Sequence, residues 1–230
     1  LRPLTDKILS FGLLNDVDQW TLLDPVYKAY TKDLCGYAER GEKEWKRLLG
    51  SFFAEGVNIA VVKNDEGQIE GYAVYRLGAP EIPVTEFVYT TRRAQRGLLN
   101  YFYNHRSQGE SIRWNEGLHD TGYRFVPDGK TGHTTMPYMM ARIVDVETAL
   151  TTVPVNPEAV MMPITLNIKV TDTLCDWNNG VFALSLGEST LPNVKRVSAE
   201  SVDEIDITID IGGLTVLLMG AVSAKDLVFE

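Results

Sequence analysis

The stretch IPVTEFVYTTRRAQRGLLNYFY, residues 82–103, decides the fold of the first half of this chain. Its opening ten residues are rich in β-branched and aromatic side chains, which predicts a strand. Thr90 or Thr91 can cap the helix that follows, because a hydroxyl before a helix accepts from its free N–H groups. The apolar face of that helix consists of Leu98, Leu99, Phe102 and Tyr103. A strand leading into an amphipathic helix predicts a sheet with this helix on one face.

The residues on either side of this stretch extend the same pattern. Upstream, Asp24 is a good N-cap and Pro25 fits the first position of a helix over residues 25–38. A second amphipathic helix is predicted after it, then two strands joined by a turn, and a short strand follows residue 110. These segments are residues 42–53, 57–64, 69–77 and 111–117. The predicted order of helix, helix, three strands, helix and strand is an α+β arrangement.

The sequence pattern of the second half predicts another sheet covered by helices. Residues 139–150 are typical of a strand running into a helix, with Asp145 as the N-cap. A long alternating strand follows, and Asn178-Asn179-Gly180 indicates a hairpin turn. The remaining segments are two strands and a very apolar helix, at residues 191–199, 204–211 and 212–220. We expect about five strands with helices on one face.

Charge divides the 230 residues into two parts. Residues 1–130 carry 17 Lys and Arg against 18 Asp and Glu, whereas residues 131–230 carry 5 against 13. We therefore place a domain boundary at residue 130, inside the Gly-, Thr- and Pro-rich stretch 119–138, and we expect proteases to cut there first. The acidic second part argues against a nucleic-acid partner, because phosphate binding requires clustered Lys and Arg.

Composition limits the cellular setting. No apolar run approaches the roughly 18 residues of a membrane span, and the first residues are too polar for a signal peptide. Without Met at its start, the chain is expected to be a processed piece or a fragment. Cys35 and Cys175 have no metal-ligand spacing, so we expect two reduced thiols, no metal site and a cytoplasmic protein without membrane contact.

The order of elements in the first half resembles the fold of the GNAT acetyltransferases. In that fold a central strand leads into a helix whose first turn holds the pyrophosphate of acetyl-CoA, within the signature [QR]xxGx[GA]. Here Arg93 and Gly97 are one residue out of step with the signature, and Leu99 stands where a small residue belongs. The first half therefore resembles a degenerate GNAT domain without cofactor-binding residues. Arg92, Arg93 and Arg96 could still attract an anion, although a solvated helix face is the more ordinary interpretation.

The second half resembles a more specific family. ARIVDVETAL (141–150), residues 165–187 with the D-x-x-x-D-W-N-N-G hairpin at 172–180, and ITIDIGGLTVLLMG (207–220) resemble the C-terminal part of the enhanced intracellular survival (Eis) family. In these bacterial N-acetyltransferases a catalytic GNAT domain precedes a degenerate GNAT domain and a sterol-carrier-protein-like domain. The resemblance implies that residues 1–130 and 131–230 are the last two domains, with the catalytic domain absent and the C-terminal end truncated.

The resemblance also implies a function for the whole family protein. It would transfer acetyl from acetyl-CoA to amines such as aminoglycosides or lysine-type amines. This chain would serve as scaffold and pocket wall, with the catalytic GNAT domain as its partner and a homo-oligomer as the expected assembly. The catalytic tyrosine of the family has no counterpart here, and Glu230 does not inherit the role of the family's C-terminal carboxylate. No catalytic residue is carried over, and no cofactor is expected in this chain.

Trp114, Asn115 and Glu116 form the candidate substrate pocket. An aromatic wall beside a carboxylate suits a cationic amine, although a core residue at a strand end is the more ordinary interpretation of Trp114. Among the other candidates, we expect loop or surface positions for the histidines, a turn with a packing anchor for Trp177-Asn178, and gap-filling for the methionine pairs. These residues are His105, His119, His133, Met139, Met140, Met161 and Met162.

Two further classes of function stay open. A ligand-binding or lipid-binding protein of sterol-carrier type would need a tunnel lined by residues of the last apolar helix. These residues are Leu214, Val216, Leu217 and Leu218. The third class is an assembly module with no small ligand. We favour assembly and pocket closure over lipid carriage, because an apolar tunnel leaves side chains without packing partners.

Overall fold

The structure is a computed structural model, and it describes residues 9–34, 36–117, 131–136, 140–155, 160, 162–187 and 189–227. The chain divides into two compact units, Leu1–Thr135 and Met136–Glu230, called here the first and the second unit. Cys35, His119, Met139 and Met161 lie outside the described residues. Among the described residues, no helix is long and apolar enough to cross a bilayer.

In the residues that the structure describes, the first unit contains a five-stranded sheet and three α-helices. Its strands are β1 (Ser10–Leu14), β2 (Asn58–Lys63), β3 (Ile69–Tyr75), β4 (Glu81–Tyr89) and β5 (Ser111–Trp114), and they lie in this order across the sheet. Neighbouring strands are antiparallel except β4 and β5, which are parallel. The helices are α1 (Trp20–Thr31), α2 (Glu42–Ala54) and α3 (Arg92–Asn104).

The sheet is buried on both faces because its strands alternate between two cores. In β2, Ala60 and Val62 point into the core under α3, while Ile59 and Val61 point into the core under α1 and α2. All four side chains are fully buried. This explains why β2 is a continuous apolar run rather than an alternation of apolar and polar residues.

The start of the chain corrects two sequence predictions. Residues 10–14 form β1 at the sheet edge, a strand that the sequence analysis missed. The first helix begins at Trp20 and ends at Thr31, so Pro25 lies inside it and Asp24 is not its N-cap. The capping box is instead made by Asp16 and Gln19 around a short 3-10 turn. Asp24 accepts from the indole N–H of Trp45 at 3.0 Å and so ties α1 to α2.

Among its described residues, the second unit contains a four-stranded sheet whose strands lie in the order Asn193–Val197, Gly180–Leu186, Ile164–Thr171 and Ile207–Asp210. Its elements are α4 (Val146–Thr152), β6 (Ile164–Thr171), β7 (Gly180–Leu186), β8 (Asn193–Val197), β9 (Ile207–Asp210), α5 (Ile211–Leu218) and α6 (Ala224–Leu227). β6 is antiparallel to β7 and parallel to β9. α4 and α5 contribute Leu150 and Leu214 to one core with Ile168 and Phe182 of the sheet.

Three predictions for this unit need correction. The sheet has four strands among the described residues rather than about five. Residues 140–144 do not form a strand before α4, although Asp145 does cap that helix by accepting from Thr148 N at 2.7 Å. β6 and β7 do pair as a hairpin, but their connection is a wide loop over residues 172–179 rather than a tight Asn-Gly turn.

Candidate functional site

The amino-terminal end of α3 is the place where the GNAT resemblance implies a phosphate site. Here the chain satisfies that end itself, because Thr91 Oγ1 accepts from Ala94 N at 3.0 Å. The same hydroxyl donates to Glu70 Oε2 at 3.0 Å, and Arg93 Nη2 donates to Glu70 Oε1 at 3.1 Å. A helix start favours anions through its free N–H groups and its dipole. The start of α3 already has a negative charge beside it, because the Glu70 carboxylate is hydrogen-bonded to the capping residue Thr91.

Glu70 is ionised at neutral pH. Burial of its side chain raises its pKa, but the hydrogen bonds from Arg93 and Thr91 outweigh burial, and the pKa lies below its usual value. An incoming phosphate would therefore be repelled by the negative charge of Glu70 at the helix start.

Gly97, the glycine nearest to the signature position, has a packing role. A Cβ on this residue would lie 2.8 Å from Leu9 Cδ1 and 3.0 Å from Val62 Cγ2. The missing side chain lets α3 approach the sheet closely, which favours helix packing and not a phosphate contact as the reason for glycine here.

The three arginines of α3 do not form one anion site in the structure. Arg93 is paired with Glu70 and, at 3.7 Å, with Asp65. Arg92 Nη1 donates to Gln95 Oε1 at 3.0 Å. All three arginines are exposed, as expected for a solvated helix face.

The candidate pocket residues are brought together only in part. Trp114 Nε1 donates to Glu116 Oε2 at 3.0 Å, whereas Asn115 is exposed. The Trp114 ring packs on the α3 side of the sheet, with its centroid 5.5 Å from that of Phe87. An indole that shares its N–H with a carboxylate can still present a face to a cation, so this pocket stays a prediction.

The strands β4 and β5 separate beside this pair of rings. They are paired only from Glu81 to Val84 on β4, opposite Ser111 to Trp114 on β5. Beyond Val84, β4 continues to Tyr89 paired with β3 only, after an irregularity in the register of that pairing. Trp114 is thus the last paired residue of β5, and its ring contacts Phe87 beyond the paired segment.

A polar cluster on the opposite face of the sheet was missed by the sequence analysis. Arg40 donates to both oxygens of Glu86, at 2.8 and 3.1 Å, and Tyr72 OH donates to Glu86 Oε2 at 2.8 Å. The guanidinium lies 4.1 Å from the ring centroid of Tyr27 and 4.8 Å from that of Trp45. Burial raises the pKa of Tyr72 well above its usual value, so Tyr72 acts as a donor and not as a base. A lone Arg in a loop and a lone Glu in a strand gave no sequence signal for this pair.

A second polar cluster organises the loop between β6 and β7. The fully buried Asp172 side chain accepts from Arg142 Nη2, from the backbone N–H groups of Leu174 and Cys175, and from Asn178 Nδ2. The hydrogen bond from Asn178 is the main cause that holds the pKa of Asp172 well below its usual value. These four hydrogen bonds hold the start of the loop in a fixed shape.

The remaining candidates do not form reactive sites among the described residues. His105 Nδ1 lies 2.8 Å from Tyr101 O, with its ring over Tyr101, and His133 is exposed. No group of His, Cys, Asp or Glu in the described part of the chain could hold a metal ion. An open groove of about 350 Å³ beside β1 and the end of α2 has no titratable lining residue. It offers neither an acid nor a base.

The apolar helix α5 is packed rather than open. Leu214 is buried in the core of the second unit, and Leu218 packs at its edge. Val216 is exposed, so these side chains face different surroundings. The structure thus separates three residues that a lipid tunnel would have to bring together.

Two family models match the sequence in succession. Residues 36–143 match an acetyltransferase (GNAT) domain, and residues 146–230 match a sterol carrier protein domain. The chain therefore carries a GNAT-like mixed-sheet domain followed by a sterol-carrier-protein-like domain, which confirms the predicted α+β fold. No curated protein matched the sequence.

Solved structures with this fold come from several bacteria. A probable N-acyltransferase from Enterococcus faecalis is 23% identical with a TM-score of 0.82, over 99% of this chain and 56% of that one. A GCN5-related N-acetyltransferase from Anabaena variabilis is 18% identical with a TM-score of 0.77, over 95% of this chain and 55% of that one. Eis1 from Mycobacterium abscessus is 20% identical with a TM-score of 0.63, over 98% of this chain and 56% of that one. The chain thus spans about half the length of the structures that it resembles.

Proposed function

We propose that this chain is the non-catalytic part of an Eis-like, acetyl-CoA-dependent N-acetyltransferase that acts on amines. The observation that carries this proposal is the self-capped start of α3, where Thr91 and the ionised Glu70 occupy the place of a phosphate site. The chain would serve as scaffold and as one wall of the substrate pocket. The partner is a catalytic GNAT domain of the same protein, and the assembly is a cytoplasmic homo-oligomer.

The length of the similar structures supports a missing catalytic domain. The E. faecalis N-acyltransferase matches this chain over nearly all of its residues but is almost twice as long. Acetyl transfer to an amine needs a base for the ammonium proton and an N–H donor at the thioester oxygen. We assign both groups, and the acetyl-CoA site, to the further GNAT domain.

The proposed substrate is a cationic amine of aminoglycoside or lysine type. The pair formed by Trp114 and Glu116 offers an aromatic face beside a carboxylate, the surroundings that an ammonium group prefers. The 13 Asp and Glu of residues 131–230, against 5 Lys and Arg, would raise the local concentration of a cation.

Calorimetry with acetyl-CoA tests the cofactor half of the proposal. The 230-residue chain should bind acetyl-CoA more weakly than about 10 μM, roughly −7 kcal/mol, whereas the longer polypeptide encoded by its gene should bind more tightly. The Glu70→Gln variant of the 230-residue chain serves as a control for the charge at the helix start. Tight binding by the unmodified 230-residue chain would contradict the proposal.

Amine kinetics test the pocket half. In the longer polypeptide, Glu116→Gln should raise the KM for a lysine-type amine and leave kcat nearly unchanged, because it weakens binding of the ammonium group and touches no reacting atom. Glu110→Gln, an exposed carboxylate before β5, is the matched control. Equal KM values for both variants would remove Glu116 from the pocket.

A sterol-carrier-type binding protein for lipids or small hydrophobic ligands is the second candidate. The match of residues 146–230 to a sterol carrier protein domain favours it. The buried Leu214 and the acidic charge of this part of the chain count against it, because anionic membranes repel acidic surfaces. Saturable, stoichiometric uptake of a fluorescent fatty acyl probe, measured with and without anionic vesicles, would promote this candidate over the first.

A further inference from the structure

Three large apolar side chains stand exposed together on the second unit. Val144, Leu174 and Trp177 have exposed fractions of 66%, 75% and 60%. Trp177 Nε1 donates to Val144 O at 2.8 Å, which brings these two residues together, and Leu174 precedes Trp177 on the same loop. We call these three residues the Trp177 patch. Such a cluster is unusual on a free protein surface and is typical of an interaction site.

The backbone that presents the Trp177 patch is held in place. Asp172 accepts from Leu174 N at 2.9 Å, Arg196 Nη1 donates to Trp177 O at 2.7 Å, and Asn178 is buried beneath the loop. A partner would therefore lose little conformational entropy of this loop on binding. Tryptophan is among the residues most enriched at the energetic centres of protein interfaces.

The charges beside the Trp177 patch indicate the chemistry of its partner. Asp145 follows Val144, Asp176 precedes Trp177, and Glu147 lies in the first turn of α4; all three are exposed. An apolar centre with an acidic rim is complementary to an apolar socket rimmed by Lys and Arg. The same rim opposes pairing of the patch with a second copy of itself.

We propose that the Trp177 patch is the docking site for the acyltransferase domain that completes this chain in the longer polypeptide. This inference rests on the proposed function. The structures that resemble this chain over its whole length carry almost as much chain again, and that additional part needs a surface to dock on. The docked domain presents an apolar socket to Trp177 and basic residues to Asp145 and Asp176.

Hydroxyl-radical footprinting tests the docking site directly. Trp177 and Leu174 should be labelled readily in the 230-residue chain and several-fold less in the longer polypeptide encoded by its gene. Trp45, which is 1% exposed, should be labelled weakly in both and serves as the internal reference. Equal labelling of Trp177 in the two proteins, including the case where the gene encodes nothing more, overturns the inference. So does protection of Trp177 in the 230-residue chain, whether by its own first unit or by a second copy.

Two variants of the longer polypeptide complete the experiment. Leu174→Ser and Trp177→Ser should both increase proteolytic release of the docked acyltransferase domain. The matched control Leu191→Ser, 50% exposed on the same unit, should not. Leu174→Ser removes no side-chain hydrogen bond, so it separates docking from any local effect of losing the Trp177 bond to Val144. Protection without acetyl transfer would refute the proposed function but keep the docking site. Acetyl transfer by the longer polypeptide without protection of Trp177 would keep the proposed function but refute the docking site.

Discussion

In the first unit, the Glu86 carboxylate receives two hydrogen bonds from Arg40 and one from Tyr72, all from side chains. In the second unit, Asp172 receives two of its four bonds from backbone N–H groups of the loop that it begins. Glu86 thus joins segments far apart in the sequence, whereas Asp172 mostly organises its own neighbourhood. The pairing of an arginine with a carboxylate, largely buried for Glu86 and fully buried for Asp172, stabilises tertiary packing in one unit and the shape of a loop in the other.

The difference predicts how much each unit depends on its carboxylate. If Glu86 is removed, the guanidinium of Arg40 still stacks on the rings of Tyr27 and Trp45, which partly compensate its charge. Removing Asp172 takes the acceptor from the part-buried N–H groups of Leu174 and Cys175, and leaves Asn178 Nδ2 only its longer bond of 3.4 Å to Val144 O. A donor left without an acceptor is more costly than one whose charge is still partly compensated.

The largest effect is expected for Asp172→Ala. It should lower the melting temperature of the second unit by about 20 °C, because several donors lose one acceptor. Hydrogen exchange should accelerate at Leu174 and Cys175 and stay unchanged in the first unit. Asp176→Ala, an exposed neighbour on the same loop, is the control. An unchanged exchange rate at Leu174 would show that Asp172 does not hold the loop.

The acid stability of the second unit follows from the same carboxylate. Because hydrogen bonds, above all from Asn178, lower the pKa of Asp172, its contribution is complete above the unfolded pKa of about 3.9. This contribution is lost as the pH falls through the lower folded pKa. Asp172→Asn should remove the part of the pH dependence that lies below about pH 4 in an acid titration of unfolding. An identical acid profile for both proteins would contradict this assignment.

Glu86→Ala should have the next largest effect. We expect a loss of about 3 kcal/mol in the free energy of unfolding of the first unit, since Arg40 and Tyr72 lose a shared partner away from solvent. Glu86→Gln keeps an acceptor for Tyr72 and should cost less. Urea denaturation followed by tryptophan fluorescence measures both. A larger loss for Gln than for Ala would rule out the hydrogen-bond explanation.

Thr91→Ala should lower the stability of the first unit by about 1 kcal/mol, the usual cost of losing a helix cap. The change removes the acceptor for Ala94 N and one donor to Glu70. Thr91→Ser keeps the hydroxyl and should restore most of the loss in the same urea experiment. Equal losses for Ala and Ser would mean that the hydroxyl does not cap α3.

The smallest effect is expected for Glu81→Ala, on the same strand as Glu86. Its partner Arg113 is 66% exposed and Glu81 itself is 49% exposed, so the pair should contribute less than about 0.5 kcal/mol. High salt should make the two proteins indistinguishable. A loss comparable to that of Glu86→Ala would remove burial as the reason for the difference between the two pairs.

Much of this fold could be predicted from local patterns, and the rest required tertiary information. The strand–helix stretch at residues 82–103 carries its own cap and apolar face, and β4, Thr91 and α3 appear where they were predicted. β1 is only five residues long and contains Gly12, so neither propensity nor alternation marks it. Pro25 was misassigned because a proline inside a helix looks, in sequence, like a proline at its start.

The polar clusters could not be predicted for a different reason. Arg40 and Glu86 are separated by 46 positions, and Arg142 and Asp172 by 30. Nothing local marks a charged residue that will be buried with a distant partner. The pairing of Trp114 with Glu116 was predictable because their spacing places them on one side of an extended segment, whereas Asn115 falls on the other side.

The sequence Asn179-Gly180 would ordinarily be a weak point in the chemical lifetime of a protein. In such a pair the glycine nitrogen can attack the carbonyl carbon of the asparagine side chain and release ammonia, and water then opens the resulting cyclic imide to aspartate or isoaspartate. Here both ends of the Asn179 amide are engaged, since Oδ1 accepts from Asp172 N at 2.7 Å and Nδ2 donates to Asp172 O at 2.8 Å. The fold therefore keeps this amide away from its neighbour's nitrogen. Asn179 should age far more slowly in the folded chain than in a peptide of the same sequence, a difference visible as a one-dalton change in mass spectra of stored samples.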